Sequence, residues 1–101
     1  MTDERENDRA ARNGHVGGGD AVRLGREQLE DLTGRPTESV SALRRTDDGW
    51  EMRVEVVELE RIPPTMNVIG SYDVELDAEG TLVGYERVRR YHRGQVDEDA
   101  G

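Results

Sequence analysis

The stretch DGWEMRVEVVELERIPP, residues 48–64, carries the clearest structural pattern in the chain. An apolar side chain occupies every second position from Trp50 to Val56, with charged residues between them, as in a strand that buries one face. At Val57 the apolar positions change parity, which predicts either a β-bulge or a segment that is buried on both faces. Two prolines then end the strand, because proline cannot donate to a sheet ladder.

Turn signals before and after this strand predict two hairpins. Residues 38–45 contain three apolar side chains and lead into Asp-Asp-Gly at 47–49, which indicates a strand paired with the one above. Downstream, alternation resumes over residues 68–76. Residues 77–80, Asp-Ala-Glu-Gly, suit a type I turn closed by a glycine with positive φ.

The second turn fixes a predicted register for the last hairpin. In that register Leu76 faces Leu82, and Ser71 faces Arg87. The final strand is expected to run from Thr81 to about Tyr91. The chain therefore contains a predicted meander of three or four antiparallel strands.

A helix precedes the strands. Apolar residues recur at helical spacing over residues 21–33, Asp20 is suited to the N-cap, and Gly34 with Pro36 ends the run. The expected fold class is α+β, with one N-terminal helix packed on the antiparallel meander sheet. Trp50 is expected at the centre of the core between them.

The two ends of the chain differ from this central domain. Residues 1–19 hold only four apolar side chains and finish in three consecutive glycines, while residues 94–101 are acidic and nearly devoid of apolar groups. Such segments cannot bury enough surface to offset their ordering entropy. The sequence therefore predicts a folded domain over residues 20–93 between two disordered acidic tails.

Composition restricts the classes of function. The net charge of −9 disfavours non-specific binding to nucleic acid or to anionic membrane, and the absence of cysteine removes disulfides and thiolate chemistry. No apolar run approaches the ~20 residues that span a bilayer, and the N-terminus has no signal-peptide pattern. We expect a cytoplasmic protein without membrane insertion.

Catalytic, cofactor and metal sites are not expected. The two histidines, His15 and His92, have no cysteine or recognised serine motif to join them. Glu55, Glu58 and Glu60 could in principle hold a hard cation, but no calcium-loop spacing surrounds them. They are interpreted as a solvated strand face, and the chain is predicted not to be an enzyme.

The last strand, YERVRRYHRG at residues 85–94, interleaves arginine with tyrosine. Arg87, Arg89 and Tyr91 share one parity on the predicted polar face, and these residue types are frequent at protein interfaces and in nucleic-acid strands. The alternative is a ladder of surface salt bridges with acidic residues of the neighbouring strands. The predicted protein-binding residues are the three above, with the adjacent loop residues Arg61, Pro63 and Pro64.

Residues 21–94 resemble the gas vesicle protein O family, GvpO. The most specific matches are Gly49 and Trp50, residues 54–58, residues 61–63, Tyr72 with Val74, Gly80, and Tyr85, Arg87, Arg90, Tyr91 and Arg93. Asn67, Gly70 and Asp73 depart mildly from the more acidic pattern expected of the family.

The resemblance implies an accessory protein needed to form the gas-filled protein shell, with no reaction and no cofactor. Its implied partners are other gas vesicle proteins, bound during assembly in the manner of a partner or chaperone-like factor, in the cytoplasm and in association with the vesicle. A regulatory nucleic-acid-binding role is the alternative within the family, and the net charge disfavours it. A looser resemblance to PepSY-type domains would instead imply an inhibitory protein-binding module.

Overall fold

One helix lies against one face of a four-stranded antiparallel sheet. The computed structural model describes residues 15–95. The elements are α1 (Gly18–Thr33), β1 (Thr37–Arg45), β2 (Gly49–Leu59), β3 (Val68–Asp77) and β4 (Leu82–His92), with short 3-10 turns at Pro64–Met66 and Arg93–Gln95. The sheet order is β1-β2-β3-β4. This architecture confirms the predicted fold class, while most of the two predicted tails lies outside the described residues.

Helix α1 begins earlier than the sequence pattern indicates. Its N-cap is Gly17, which has an extended backbone and no side-chain cap, so the prediction of Asp20 as N-cap is wrong. Asp20 lies in the first turn, where its negative charge is favourable beside the free backbone N–H groups. The predicted end is correct: Gly34 adopts a φ of 70° and its N–H donates to the carbonyl of Glu30.

The residues before the helix pack on the sheet. The Val16 N–H donates to the Ala78 carbonyl at 2.8 Å, and the indole Nε1 of Trp50 donates to the Val16 carbonyl at 3.1 Å. The His15 ring lies edge-on to the Trp50 ring, with 6.5 Å between their centroids. The folded region therefore includes residues 15–19, which the sequence pattern had assigned to the tail.

Trp50 does not lie at the centre of the core, so that prediction is also wrong. Its ring is half-buried at the N-terminal end of α1, where its outer carbons lie close to Gly18. The centre is formed by Ala21 and Leu29 of α1 together with side chains on the helix-facing side of the sheet, namely Met52, Val54, Val56, Tyr72, Val74 and Leu76. Gly25 lets the helix approach closely, because a Cβ there would lie 2.6 Å from the Met52 sulfur.

The register of the last hairpin is partly as predicted. Leu76 does face Leu82, and Gly80 has the expected positive φ of 90°. Ser71, however, faces Arg89 rather than Arg87, because the β3–β4 pairing contains irregularities between Glu75 and Leu76 and between Ser71 and Tyr72. Each irregularity adds a residue on β4, so side chains beyond it change faces.

The parity change in β2 proves to be a bulge. The β2–β3 register shifts between Val57 and Leu59, which leaves Glu58 as the extra residue. Val54, Glu55, Val56 and Glu58 are also buried, so this segment is buried on both faces as well and both predicted explanations hold. This bulge and the one at Val88 in β4 together determine which charged side chains meet at this end of the sheet.

Candidate protein-binding surface

The connection between β2 and β3, residues 60–67, is a well-braced loop, here called the proline loop. The Arg61 N–H donates to Asn67 Oδ1 at 2.7 Å, so the two ends of the loop are joined. The N–H groups of Met66 and Asn67 donate to the carbonyls of Pro63 and Pro64, each at 2.9 Å. Asn67 itself is buried. The loop thus has an internal network that fixes its shape.

The proline loop presents apolar side chains to solvent. Ile62 is 98% exposed, and Leu59 and Met66 beside it are 40% and 48% exposed. The predicted binding residues Arg61, Pro63 and Pro64 are exposed as well. Ile62 was not among the predicted binding residues, although it is the most exposed large apolar side chain among residues 15–95.

The chain segment that follows β4 lies against this loop. The Arg93 N–H donates to the Asn67 carbonyl at 2.9 Å, and the backbone of Thr65 lies close to Gly94. Arg93 also forms an ion pair with Glu38 at the start of β1. The proline loop is therefore fixed at its two ends, where it joins β2 and β3, and it also contacts the chain segment that follows β4.

A group of arginines surrounds Glu58 on the helix-facing side of the sheet, beyond the end of α1. The Glu58 carboxylate is only 6% exposed and accepts hydrogen bonds from Tyr72 Oη at 2.6 Å and from Arg87 Nη1 at 3.2 and 3.3 Å. The Arg90 Nε lies 3.2 Å from the same carboxylate. Arg35 donates to the backbone carbonyl of Glu58. We call Arg35, Arg87 and Arg90 the arginine cluster.

Electrostatics in this cluster favour the ionised form of Glu58. Burial raises the pKa of the carboxyl group, but the hydrogen bonds from Tyr72 and Arg87 and the charges of Arg87 and Arg90 outweigh burial and lower it below the ordinary value. The pKa of Tyr72 is raised by burial and by its hydrogen bond to Glu58. Tyr72 therefore remains a neutral donor to a charged acceptor.

The opposite face of the sheet carries a second polar cluster, centred on Glu55. Its carboxylate accepts hydrogen bonds from Ser71 Oγ at 2.6 Å, Tyr91 Oη at 2.9 Å and Ser41 Oγ at 2.7 Å. The guanidinium of Arg89 lies 4.7 Å from the centroid of the Tyr91 ring, within the range of a cation–π contact. Burial and the bond to Glu55 raise the pKa of Tyr91 to about 12.

Two expectations about these side chains are wrong. Arg87 pairs with Tyr72 and lies on the helix-facing side, whereas Arg89 and Tyr91 pair with Ser71 and Ile69 on the opposite face. The bulge at Val88 separates them, so the three residues do not form one surface. Glu55 and Glu58 are buried acceptors rather than members of a solvated strand face. The parity change at Val57 was the one signal in the sequence that marked Glu58 as unusual.

None of the helices within residues 15–95 has the length and apolar character needed to cross a bilayer. In the same residues, acidic and histidine side chains do not gather in groups of three or more that could hold a metal ion.

By its fold the chain is a small α+β protein with a helix on an antiparallel meander. The sequence model of the family described as gas vesicle synthesis protein GvpO matches residues 3–97. The chain therefore belongs to the GvpO family, as the sequence resemblance indicated.

Three relatives support this assignment. The chain is 60% identical to gas vesicle protein O of a Streptomyces strain over 70 residues, covering 69% of this chain and 55% of the relative. It is 39% identical to gas vesicle protein O1 of Halobacterium salinarum (73% and 62% covered) and 36% identical to gas vesicle protein O of Haloferax mediterranei (83% and 61% covered). The chain thus matches less than two thirds of the length of these relatives. No solved structure matches it significantly.

Proposed function

We propose that this protein serves in gas vesicle formation as an accessory factor that binds another gas vesicle protein through the proline loop. The observation that carries the proposal is the full exposure of Ile62 on a loop whose backbone is braced by hydrogen bonds. In this proposal the protein acts in the cytoplasm beside the forming vesicle, as a binding factor and not as an enzyme.

Contact between an isoleucine side chain and water is unfavourable, and burial of the side chain against a partner would remove this contact. Burying an aliphatic side chain of this size stabilises a complex by about 1.5–3 kcal/mol. Because the loop is already ordered, little conformational entropy remains to be lost when it binds, which removes one of the costs that reduce affinity. Leu59 and Met66, which lie on either side of Ile62 in the sequence, are also partly exposed.

Arginines border the apolar area, as is common in protein interfaces. Arg61, next to Ile62 in the sequence, is exposed, and the arginine cluster surrounds Glu58, two residues before the loop. Interfaces combine an apolar centre with a polar rim, and arginine is among the residues that contribute most to binding energy. Both features favour a protein partner.

The other two functions considered from the sequence have less support. Arg87 and Arg90 pair with Glu58, and Arg93 pairs with Glu38, which reduces the positive charge available to a nucleic acid. The chain as a whole carries a net charge of −9. The resemblance to PepSY-type domains rests on the order of elements alone, and no solved structure supports it.

Copurification from gas-vesicle-forming cells tests the proposal. We expect tagged protein to retain a gas vesicle protein, and Ile62→Asp to lose it while keeping its melting temperature, since a charge would replace the apolar centre of the contact. Val83→Asp is the matched control, because Val83 is also exposed, at 58%, but lies at the opposite end of β4. Equal retention by both variants would refute the role of the loop.

A further inference from the structure

We infer that the arginine cluster is a binding site for carboxylate groups, and that it recognises a short acidic segment of a protein partner. This inference rests on the proposed function for the identity of the partner. The site lies on the helix-facing side of the sheet, past the end of α1, where β3 and β4 are not covered by the helix.

The first argument is the imbalance of charge. Three guanidinium groups, from Arg35, Arg87 and Arg90, converge on the single carboxylate of Glu58 and its backbone carbonyl. Two positive charges therefore remain in excess. Among residues 15–95, Arg87 and Arg90 form ion pairs with Glu58 alone, and Arg35 contacts Glu58 through its backbone carbonyl.

The second argument is preorganisation. Glu58 is buried and its position is fixed by Tyr72, so it holds the guanidinium groups of Arg87 and Arg90 in place. Each of these arginines uses only one nitrogen toward the carboxylate, and about half of each side chain remains exposed. A guanidinium has five N–H donors in a planar fork, so donors remain for a second carboxylate from outside.

The third argument is the neighbourhood of the cluster. Tyr85 faces Val74 on the same side of the sheet, is exposed, and lies 6.2 Å from Tyr72 between ring centroids. An exposed tyrosine beside arginines can pack on the apolar side chains of an acidic segment. The site thus offers both a charged and an aromatic contact.

The size of the positive area favours a short acidic segment over a nucleic acid. Only two excess charges are present, in a chain whose net charge is −9. A nucleic acid extends well beyond this area and would meet the acidic remainder of the surface, whereas binding to a phosphate backbone normally draws on several basic contacts. One or two carboxylates of a peptide match the available donors.

A peptide titration of the full chain tests the inference. The probe is a capped hexaglutamate peptide, with capped hexaglutamine as the uncharged control, and the readout is the side-chain Nε–H resonances of Arg87 and Arg90 in NMR spectra. We expect saturable shifts with hexaglutamate alone. Arg90→Gln should weaken the affinity about tenfold, because one charge-assisted contact is lost while Arg87 still pairs with Glu58.

Two further variants separate a specific site from general charge attraction. Arg87→Lys keeps the charge beside Glu58 but loses the planar fork, so it should also weaken binding, with little change in melting temperature. Arg44→Gln removes the same charge from the opposite face, where Arg44 pairs with Glu51, and should leave the affinity unchanged. The inference would be overturned if Arg44→Gln weakened hexaglutamate binding as much as the other two variants, or if hexaglutamate caused no saturable shifts. It would also be overturned if a single-stranded oligonucleotide of equal charge bound more tightly than hexaglutamate.

The result of the peptide titration is independent of the result of the copurification that tests the proposed function. If hexaglutamate binds as expected but wild-type protein retains no gas vesicle protein, the carboxylate site stands and the proposed function fails. If retention depends on Ile62 and hexaglutamate does not bind, the proposed function stands and the carboxylate site fails.

Discussion

Glu58 organises the part of the sheet nearest the proline loop. The bulge in β2 turns its side chain to the helix-facing side, where the carboxylate meets Tyr72, Arg87 and Arg90. Gly70 provides the space, because a Cβ at that position would lie 2.6 Å from a carboxylate oxygen of Glu58. A buried charge is tolerated here because each of its oxygens has a donor.

The decrease in the free energy of unfolding at acid pH should depend on Glu58. Its pKa is lowered on folding from the ordinary value of 4.5, so its stabilisation is fully present above that value and is lost as the pH falls through the lower, folded-state pKa. Glu58→Gln should therefore be less stable at pH 7, by about 1–3 kcal/mol, because buried donors lose their charged acceptor. Below about pH 4 the difference from wild type should shrink.

Urea unfolding at a series of pH values from neutral to acid measures this effect. Glu51→Gln is the control, since Glu51 pairs with Arg44 at an exposed position where an ion pair contributes little. If the free energies of unfolding of Glu58→Gln and wild type differ by the same amount at every pH in the acid range, the Glu58 carboxyl group is not ionised beside the arginines.

At the scale of elements, local signals were predictable and long-range pairing was not. The alternation in β2, the turn at residues 77–80 and the glycine that ends α1 are each encoded within a few neighbouring residues, and all three predictions are confirmed. The bulges of β4 are not encoded in this way. Its central residues are charged on both parities, so no apolar face fixes the register from the sequence alone. Arg87 and Arg89 were therefore placed on the same face in error.

The junction between the N-terminal segment and α1 provides a test at this scale. A chain that begins at residue 20 lacks the hydrogen bonds of Val16 with Ala78 and Trp50, and it exposes the Trp50 ring. We expect a loss of about 2 kcal/mol from the hydrogen bonds alone. For a domain of this size that corresponds to a fall of roughly 8 °C or more in melting temperature.

Removal of residues 1–14 is the matched control, because it leaves these contacts of His15, Val16 and Trp50 in place. Thermal unfolding followed by Trp50 fluorescence compares the two shortened chains. Identical melting temperatures and emission maxima would mean that residues 15–19 contribute nothing to the fold.

For the molecule as a whole, charge and exposed apolar surface are distributed unevenly. The chain has a net charge of −9, yet several arginines gather where β2, β3 and β4 meet the proline loop, which also carries the exposed Ile62. The sequence indicated this region through Arg61, Pro63 and Pro64, but the exposure of Ile62 could not be deduced, because an apolar residue is by default expected in a core. The partner could not be deduced either, since one chain holds only half of an interface.

Site-specific photo-crosslinking in gas-vesicle-forming cells tests the central claim most directly. A photoreactive amino acid placed at position 62 should form a covalent adduct with a gas vesicle protein, identified by mass spectrometry. The same amino acid at position 83, exposed but distant from the proline loop, should form little of that adduct. Equal yields from both positions, or adducts at position 62 only with nucleic acid or with proteins unrelated to gas vesicles, would contradict binding through the proline loop.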